Sequence, residues 1–241
     1  MKFIETPFGL AAALLAIASG VSGTTIKEIN GPNYRTVFTG DNSRVQNVQG
    51  IVTARDRKGI FLRGVESIVA GNSIYVFDSR LAANESITAG DIITLDGKVT
   101  EYRNNSNVLY LTEIQSARVT SLTQGTGAPE PWVIGTDTPS PPTEQYTSLD
   151  GGNIFAVPNN QSSLMSRNPT LEPGAYGLDF WQSLSGARVR IRKPVAVSKS
   201  RAGRFIWIVG DWPTTGRNLR GGLTLRGVGK SSSDKAMRSP Y

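Results

Sequence analysis

Five closely spaced strand patterns between Val45 and Thr120 constrain the fold of this chain more than any other feature. Gly50 and Gly97 lie inside two of them, where glycine permits the sharp coiling that a small closed sheet requires. Each pattern is rich in β-branched and aromatic residues, with Gly, Asn, Asp or Ser at its boundaries. The five are VQNVQGIVTA, GIFLRG, SIYVFDS, DIITLDGKVTEYR and VLYLTEIQSARVT. They predict an all-β chain with a five-stranded OB-type barrel over residues 45–122, and a generic antiparallel sandwich is the alternative.

The chain lacks two residue types on which much enzyme chemistry depends. Its 241 residues include no cysteine and no histidine. The first absence excludes disulfides, thiolate metal sites and thiol nucleophiles, and the second removes the usual general base and the commonest neutral metal ligand. Asp78, Asp91, Asp96 and Glu101 are scattered carboxylates, which we interpret as turn and surface residues. The sequence therefore predicts no catalytic residue, metal site or cofactor in this chain.

The N-terminus has the pattern of a secretory signal peptide. A lysine near the start is followed by an apolar run from Phe8 to Ile17 and then by small residues. The run is too short to span a bilayer comfortably. We expect a signal peptide over residues 1–23, cleaved near Gly23 or Gly20, and a buried helix of the mature fold is the alternative. The prediction is a secreted, extracellular protein with no membrane segment in the mature chain.

Secretion makes N-glycosylation relevant. Asn84, Asn104 and Asn160 each begin an Asn-X-Ser triplet, and all three triplets lie in polar, turn-like stretches. A bulky glycan attached there can stay in solvent. These three asparagines are the predicted glycosylation candidates.

The remainder of the chain divides by composition. Residues 24–44 are polar and rich in turn formers, which predicts a lead-in strand or an extended arm. At most one or two helical turns fit between residues 78 and 91. Residues 123–175 are dense in Pro, Gly, Ser, Thr and Asn and form either a linker or a long loop system draped over the barrel. The apolar residues Trp132, Tyr146, Phe155 and Met165 favour draping.

The C-terminal part regains regular patterns after residue 175. A short helix can start with Asp179 in the capping position, and the patterns ARVRIRKPVAVS, FIWIVGDW and GGLTLRG follow as strands. We predict a second, smaller and incomplete β unit over residues 176–227. The last segment, residues 228–241, has no periodicity and is expected to be disordered.

The basic charge is concentrated in this C-terminal part. Residues 181–241 contain 13 basic and 2 acidic residues, whereas residues 24–180 contain 12 basic and 16 acidic ones. In the predicted strand that follows Gly186, alternation places Arg188, Arg190 and Arg192 on one face, next to Lys193. Such a stripe can track phosphate groups with salt-dependent affinity. A solvated outer face of a half-buried strand is the alternative interpretation.

Two of the predicted barrel strands carry a possible stacking platform. Phe61 and Arg63 share one face of GIFLR, and Tyr75 and Phe77 share one face of SIYVF. OB barrels that bind single-stranded nucleic acids use aromatic and basic side chains on such strands. Core packing is the use that the pattern favours, because the opposite faces are equally apolar and one set must point inward.

Five segments of the chain resemble, in the same order, the OB-fold module that precedes the catalytic domain in secreted nucleases of the endonuclease/exonuclease/phosphatase family. These segments are Gly50 to Ala54, Gly59 to Arg63, Ile74 to Phe77, Ala89 to Asp91 and Gly97 to Tyr102. Beyond them, PPTEQYTSLDGGNIFAVPNN, YGLDFWQSLSGARVRIRKPVAV and VGDWPTTGRNLRGGLT resemble the extension found in fungal members. The resemblance covers roughly Val45 to Leu225, and the final residues depart from it, as expected of a truncated or mispredicted gene product.

The resemblance implies metal-dependent phosphodiester hydrolysis by a catalytic domain that would follow this region. None of the family's metal-binding Asn, Asp, Glu and His residues can be carried over onto this chain, so a divalent metal is expected only for that domain. Our leading hypothesis is a secreted, non-catalytic accessory region that binds nucleic acid or another polyanion weakly. The alternative is a purely structural fragment that packs against the missing phosphodiesterase domain.

Overall fold

A five-stranded sheet that closes into a ring is the main element of the fold. The computed structural model describes residues 23–66, 69–104, 109–143, 145–150, 161–200, 205–214 and 216–223. The strands are β1 (Arg44–Arg55), β2 (Gly59–Arg63), β3 (Ser73–Phe77), β4 (Ile92–Tyr102) and β5 (Leu111–Thr123). They are ordered β1-β2-β3-β5-β4, with β4 paired back to β1. The predicted mostly β chain with five strands in this region is confirmed.

Neighbouring strands of the ring are antiparallel, with one exception. β3 and β5 run parallel, with Tyr75 opposite Glu113 and Phe77 opposite Gln115. The register shifts between Asp96 and Lys98, next to Gly97. A Cβ atom on Gly97 would lie 2.3 Å from Cγ2 of Ile114. The bulge and the close approach both explain why glycine stands at this point of the strand.

Several short elements surround the ring. They are the helices α1 (Ile26–Asn30), α2 (Ser79–Ala83), α3 (Gln161–Arg167) and α4 (Gly177–Ser183), two 3₁₀ turns at Gly40–Ser43 and Ser148–Asp150, and the strands β6 (Trp132–Val133), β7 (Val189–Arg190), β8 (Val195–Ala196) and β9 (Ile208–Val209). β6 pairs with β7 in parallel, and β8 pairs with β9 antiparallel. No helix in the described ranges is long and apolar enough to cross a membrane.

The main hydrophobic core fills the ring and includes α1. Ile26 and Ile29 of α1 are fully buried among the inward-facing side chains of the five strands. Gly50 of β1 makes room for this helix, since a Cβ atom there would lie 3.1 Å from Cδ1 of Ile26. The helix therefore packs against the ring as part of its core.

The predicted lead-in strand or extended arm is wrong for the residues of α1. Thr25 forms a capping box with Glu28: the Glu28 amide donates to the Thr25 hydroxyl (3.1 Å), and the Thr25 amide donates to the Glu28 carboxylate (2.8 Å). This reciprocal pair satisfies two amides that a helix start leaves without partners. Asn30 then fixes the end of the helix to β3, because its amide donates to the carbonyl of Ser73 at 2.9 Å.

The stretch between β5 and α4 contributes side chains to two smaller clusters. In the first, Met165 packs with Tyr34, Leu178 and the partly buried Tyr146. In the second, Ile134 packs with Phe180, Leu184 and other residues of the C-terminal part. Within the described residues, this Pro-rich and Gly-rich stretch is thus in contact with the rest of the chain. Phe155, the remaining apolar residue that favoured draping, lies outside the described residues.

α4 starts three residues earlier than the sequence pattern predicted, because Tyr176 and not Asp179 occupies the capping position. α4 begins at Gly177, and Asp179 is its third residue, fully buried. The Tyr34 hydroxyl donates to one oxygen of this carboxylate, and the Glu172 amide donates to the other at 2.8 Å. Asp179 therefore joins the segment after α1 to α4, and it does not cap the helix.

The predicted single basic strand after Gly186 is divided into two short strands. β7 ends at Arg190, and β8 begins at Val195 in a different sheet. Lys193 lies between them with a φ of +42°, a left-handed conformation that interrupts a strand. Pro194 follows it. The alternation that placed three arginines on one face therefore does not extend to Arg192.

The predicted signal peptide and disordered tail lie outside the described residues, apart from Gly23. The same is true of the last predicted strand beyond Leu223 and of Asn160. The other two glycosylation candidates, Asn84 and Asn104, are exposed to solvent.

Candidate functional site

The outer face of β2 and β3 brings together the four residues of the predicted platform. Ile60, Leu62, Ile74 and Val76 point into the core and are at most 1% exposed. Because side chains alternate along a strand, Phe61, Arg63, Tyr75 and Phe77 lie on the opposite face of these strands. The expectation that this set packs in the core is wrong for the exposed Phe77, whereas Tyr75 is buried outside the main core cluster.

The three aromatic rings of this platform are in contact. The centroids of Phe61 and Tyr75, which pair across the strands, are 4.7 Å apart. Those of Tyr75 and Phe77 are 6.4 Å apart with an edge-to-face geometry. Tyr75 is nearly buried between its neighbours, whereas Phe77 is 41% exposed. A planar ligand group can stack on such a partly exposed ring without displacing core side chains.

Tyr75 is held in place by the turn between β1 and β2. Its hydroxyl donates to the carboxylate of Asp56 at 2.8 Å. Gly59 leaves space for the ring, since a Cβ atom there would lie 2.7 Å from Cζ of Tyr75. Burial and the nearby Asp56 carboxylate raise the pKa of Tyr75, so the phenol stays protonated and remains a donor. The turn and the platform are thus joined by a side-chain hydrogen bond and by close packing of Gly59 on the Tyr75 ring.

An acidic side chain on β5 borders the platform. Glu113, opposite Tyr75, is buried, and Nε2 of Gln115 donates to its carboxylate at 2.6 Å. Burial raises the pKa of Glu113, which shows that its environment disfavours the charged form.

Arg63 connects the platform to the segment that follows the ring. Its guanidinium carbon lies 4.9 Å from the centroid of the Trp132 ring, and Nη1 donates to the Glu130 carbonyl at 3.2 Å. Stacking of a guanidinium on an indole holds both groups in a fixed orientation. Trp132, which belongs to β6, is thereby placed beside the platform.

Two arginines of the basic segment reach the same short stretch. Nη1 of Arg188 donates to the Pro129 carbonyl at 2.8 Å. Nη2 of Arg190 lies 3.1 Å from a carboxylate oxygen of Glu130. The parallel pairing of β6 with β7 explains this placement, since it aligns Trp132 with Val189. Arg63, Arg188 and Arg190 therefore converge on the dipeptide Pro129–Glu130.

The eight residues predicted from the sequence thus fall into two groups. Six of them lie along one surface that we call the platform path: Phe77, Tyr75, Phe61, Arg63, Arg190 and Arg188. The other two, Arg192 and Lys193, follow the end of β7. Nζ of Lys193 pairs instead with the carboxylate of Asp211 at 3.2 Å.

The sequence reasoning missed several residues that border the platform path. Trp132 and Glu130 were assigned to a loop or linker, and nothing local indicates that they meet Arg63. Arg57 and Lys58 are exposed in the turn that holds Tyr75. The amides of Lys58 and Gly59 both donate to Asp56 at 2.8 Å. The sequence Asp56-Arg57-Lys58-Gly59 between two strand patterns is a turn signal that would have placed these basic side chains beside the platform.

Three of the four carboxylates that we interpreted as turn and surface residues are shielded from solvent: Asp78 and Asp91 are buried, and Glu101 has a buried carboxylate oxygen. Asp91 is fully buried and accepts from the amides of Thr88 (2.7 Å) and Gly125 (2.8 Å), which lower its pKa. Glu101 accepts from the Thr36 amide at 2.8 Å, and burial raises its pKa. Asp91 and Glu101 both connect backbone segments of the fold. Among the described residues, no three acidic side chains are grouped closely enough to hold a metal ion.

Comparison with known families gives a match to the C-terminal part of the chain. Residues 133–237 match the model of a domain of unknown function, DUF8508. This segment contains β7, β8 and β9, whereas the five-stranded ring precedes it. No curated protein and no solved structure matches the chain.

Proposed function

We propose that this chain is a secreted, non-catalytic accessory module that binds single-stranded nucleic acid along the platform path. The ring is inferred to be an OB-type barrel. Its strand order β1-β2-β3-β5-β4, with β3 parallel to β5, supports this inference. In OB folds, strands 2 and 3 and the adjoining loops form the ligand-binding face. The platform path lies on the corresponding strands of this chain.

The observation that carries the proposal is the continuity of aromatic and cationic groups along this surface. Phe77 and Phe61 offer rings on which bases can stack, and stacking on an aromatic ring contributes about 1–3 kcal/mol per base. Arg63, Arg188 and Arg190 follow at one end, where guanidinium groups can bind phosphates. A single strand lying on this path would meet stacking groups first and charged groups next.

The present partners of the arginines are compatible with weak, salt-dependent binding. Arg190 and Glu130 are 56% and 85% exposed at their side chains. An ion pair of this exposure contributes about 0–1 kcal/mol, so a phosphate can replace the carboxylate at little cost. The Glu130 carboxylate nevertheless competes with the ligand. We therefore expect modest affinity at low salt.

The test is fluorescence anisotropy of a labelled 15-nucleotide oligo(dT) with the full chain at 25 and 200 mM NaCl. Phe77→Ala removes an exposed stacking group, and we expect affinity to fall about 5-fold or more, the lower end of the stacking range. Tyr102→Ala is the matched control, because Tyr102 is 48% exposed and lies on β4. Absence of binding at 25 mM NaCl, or an equal loss in both variants, would contradict the proposal.

The arginines are tested by the salt dependence of the same binding. On single strands, log K falls against log salt concentration with a slope of about −0.7 per phosphate neutralised. The double variant Arg188→Ala/Arg190→Ala should reduce the magnitude of the slope by about 1.4. An unchanged slope would exclude these two residues from the interface.

A further inference from the structure

The outer face of β5 lies beside the aromatic residues of β3. The two strands run parallel in register, so Glu113 is the neighbour of Tyr75 and Gln115 is the neighbour of Phe77. Ile114, between these two residues of β5, is fully buried in the core, which places Glu113 and Gln115 on the outer face. Neighbouring strands are about 4.8 Å apart. A half-exposed polar side chain, Gln115, therefore stands next to the exposed ring of Phe77 in the platform path.

The side-chain amide of Gln115 has a defined orientation. Its Nε2 donates to the Glu113 carboxylate at 2.6 Å. An ionised carboxylate has no proton to donate, so the nitrogen of the amide faces Glu113 and the oxygen faces away. Glu113 is 2% exposed and lies on the strand between β3 and β4. The amide is thus oriented by a buried neighbour within the ring.

Two hydrogen-bonding groups of this amide are left for a ligand. A glutamine side chain has two N–H groups and one oxygen, and Glu113 uses one of the N–H groups. Among the hydrogen bonds between described residues, none uses the second N–H or the oxygen of Gln115. The side chain therefore offers one donor and one acceptor side by side.

A donor beside an acceptor matches one base in particular. Glutamine forms a pair of hydrogen bonds with N6–H and N7 of adenine. The corresponding edge of guanine has two acceptors, that of thymine has one acceptor next to a methyl group, and that of cytosine has a single donor. A base stacked on Phe77 can bring this edge to Gln115, because the two residues are neighbours across the strands.

We propose that Gln115 gives the platform path a preference for adenine at the base that stacks on Phe77. The inference rests on the proposed nucleic-acid binding, and it adds the base that this site selects. A bidentate pair of this kind discriminates against other bases by about 5-fold or more.

The experiment measures the fluorescence anisotropy of three labelled 15-nucleotide strands with the full chain at 25 mM NaCl. They are oligo(dA), oligo(dT) and oligo(7-deaza-dA), in which the base keeps the ring system and N6–H of adenine and lacks the N7 acceptor. We expect wild type to bind oligo(dA) about 5-fold or more tighter than oligo(7-deaza-dA). Gln115→Leu should abolish this difference. Oligo(dT) should also bind more weakly than oligo(dA), by a factor that Gln115→Leu reduces.

Gln49→Leu is the matched control. Gln49 is exposed on β1, and its Nε2 lies 3.5 Å from the Thr94 hydroxyl. This substitution should leave the ratio of the affinities for oligo(dA) and oligo(7-deaza-dA) unchanged. Because the ratio compares two ligands on the same protein preparation, a partly unfolded variant does not alter it.

Two results would overturn the adenine preference while nucleic-acid binding stands. The first is that wild type binds oligo(dA) no more tightly than oligo(7-deaza-dA) or oligo(dT). The second is a ratio between oligo(dA) and oligo(7-deaza-dA) that is the same in Gln115→Leu as in wild type. Absence of binding to all three strands would overturn both proposals, so the two failures are distinguishable.

Discussion

The packing of α1 against the ring as part of its core predicts a large effect of truncating Ile29. This side chain is fully buried in the main core, and its carbonyl accepts from the Thr36 hydroxyl. Ile29→Ala removes three carbon atoms, which at about 0.8 kcal/mol each amounts to about 2.4 kcal/mol of transfer free energy. The closed ring cannot fully collapse onto the space left by the missing atoms, so a cavity remains. With this cavity, the free energy of unfolding should fall by about 3–4 kcal/mol.

The assay is urea unfolding of the full chain followed by circular dichroism. With a typical slope of about 1–3 kcal/mol per molar urea, the midpoint should fall by at least about 1 M. Val37→Ala is the control, since this exposed side chain should change the free energy of unfolding by less than about 0.5 kcal/mol. If Ile29→Ala lowered the free energy of unfolding no more than Val37→Ala does, α1 would not be part of the core.

Two further predictions concern buried carboxylates. The amides of Thr88 and Gly125 bond different oxygens of the Asp91 carboxylate. Asp91→Asn replaces one of these oxygens with an NH₂ group, so one of the two amides loses its acceptor. We expect the free energy of unfolding at pH 7 to fall by about 1–3 kcal/mol. Since the folded pKa of Asp91 is lowered, the difference from wild type should shrink as pH falls through that pKa; a pH-independent difference would refute the assignment. The pH dependence expected for Asp179 is the opposite, because burial raises the pKa of this carboxyl. The free energy of unfolding of wild type relative to Asp179→Asn should fall as pH rises from about 4 through the folded pKa. Denaturant titrations between pH 3 and 8 measure the free energies of unfolding of wild type and of both variants. A difference between wild type and Asp179→Asn that does not change with pH would contradict the burial of Asp179 in ionised form.

The five ring strands were predictable because their signal is local. Each consists of consecutive β-branched and aromatic residues with turn formers at its ends, and Gly97 marked a real bulge. α1 was missed because five residues are too few for a helical period to emerge. Its capping box of Thr25 and Glu28 was nevertheless present in the sequence and could have been recognised.

The orientation of β2 and β3 could not be predicted from their own residues. Both faces are apolar, and the choice depends on contacts made elsewhere, such as the bond from Tyr75 to Asp56. The meeting of Arg63 with Arg188 near Pro129 joins residues far apart in the chain, for which no local pattern exists. For the basic segment, Pro194 was the available sign that the strand could not continue.

The most direct test of the platform path is a titration of ¹⁵N-labelled protein with unlabelled 15-nucleotide oligo(dT), followed by amide chemical shifts. The account predicts that shifts concentrate together in β2, β3 and β7, with Trp132 of β6 among them. Perturbations confined to residues 192–223, or an absence of shifts in β2 and β3 when binding is saturated, would contradict it.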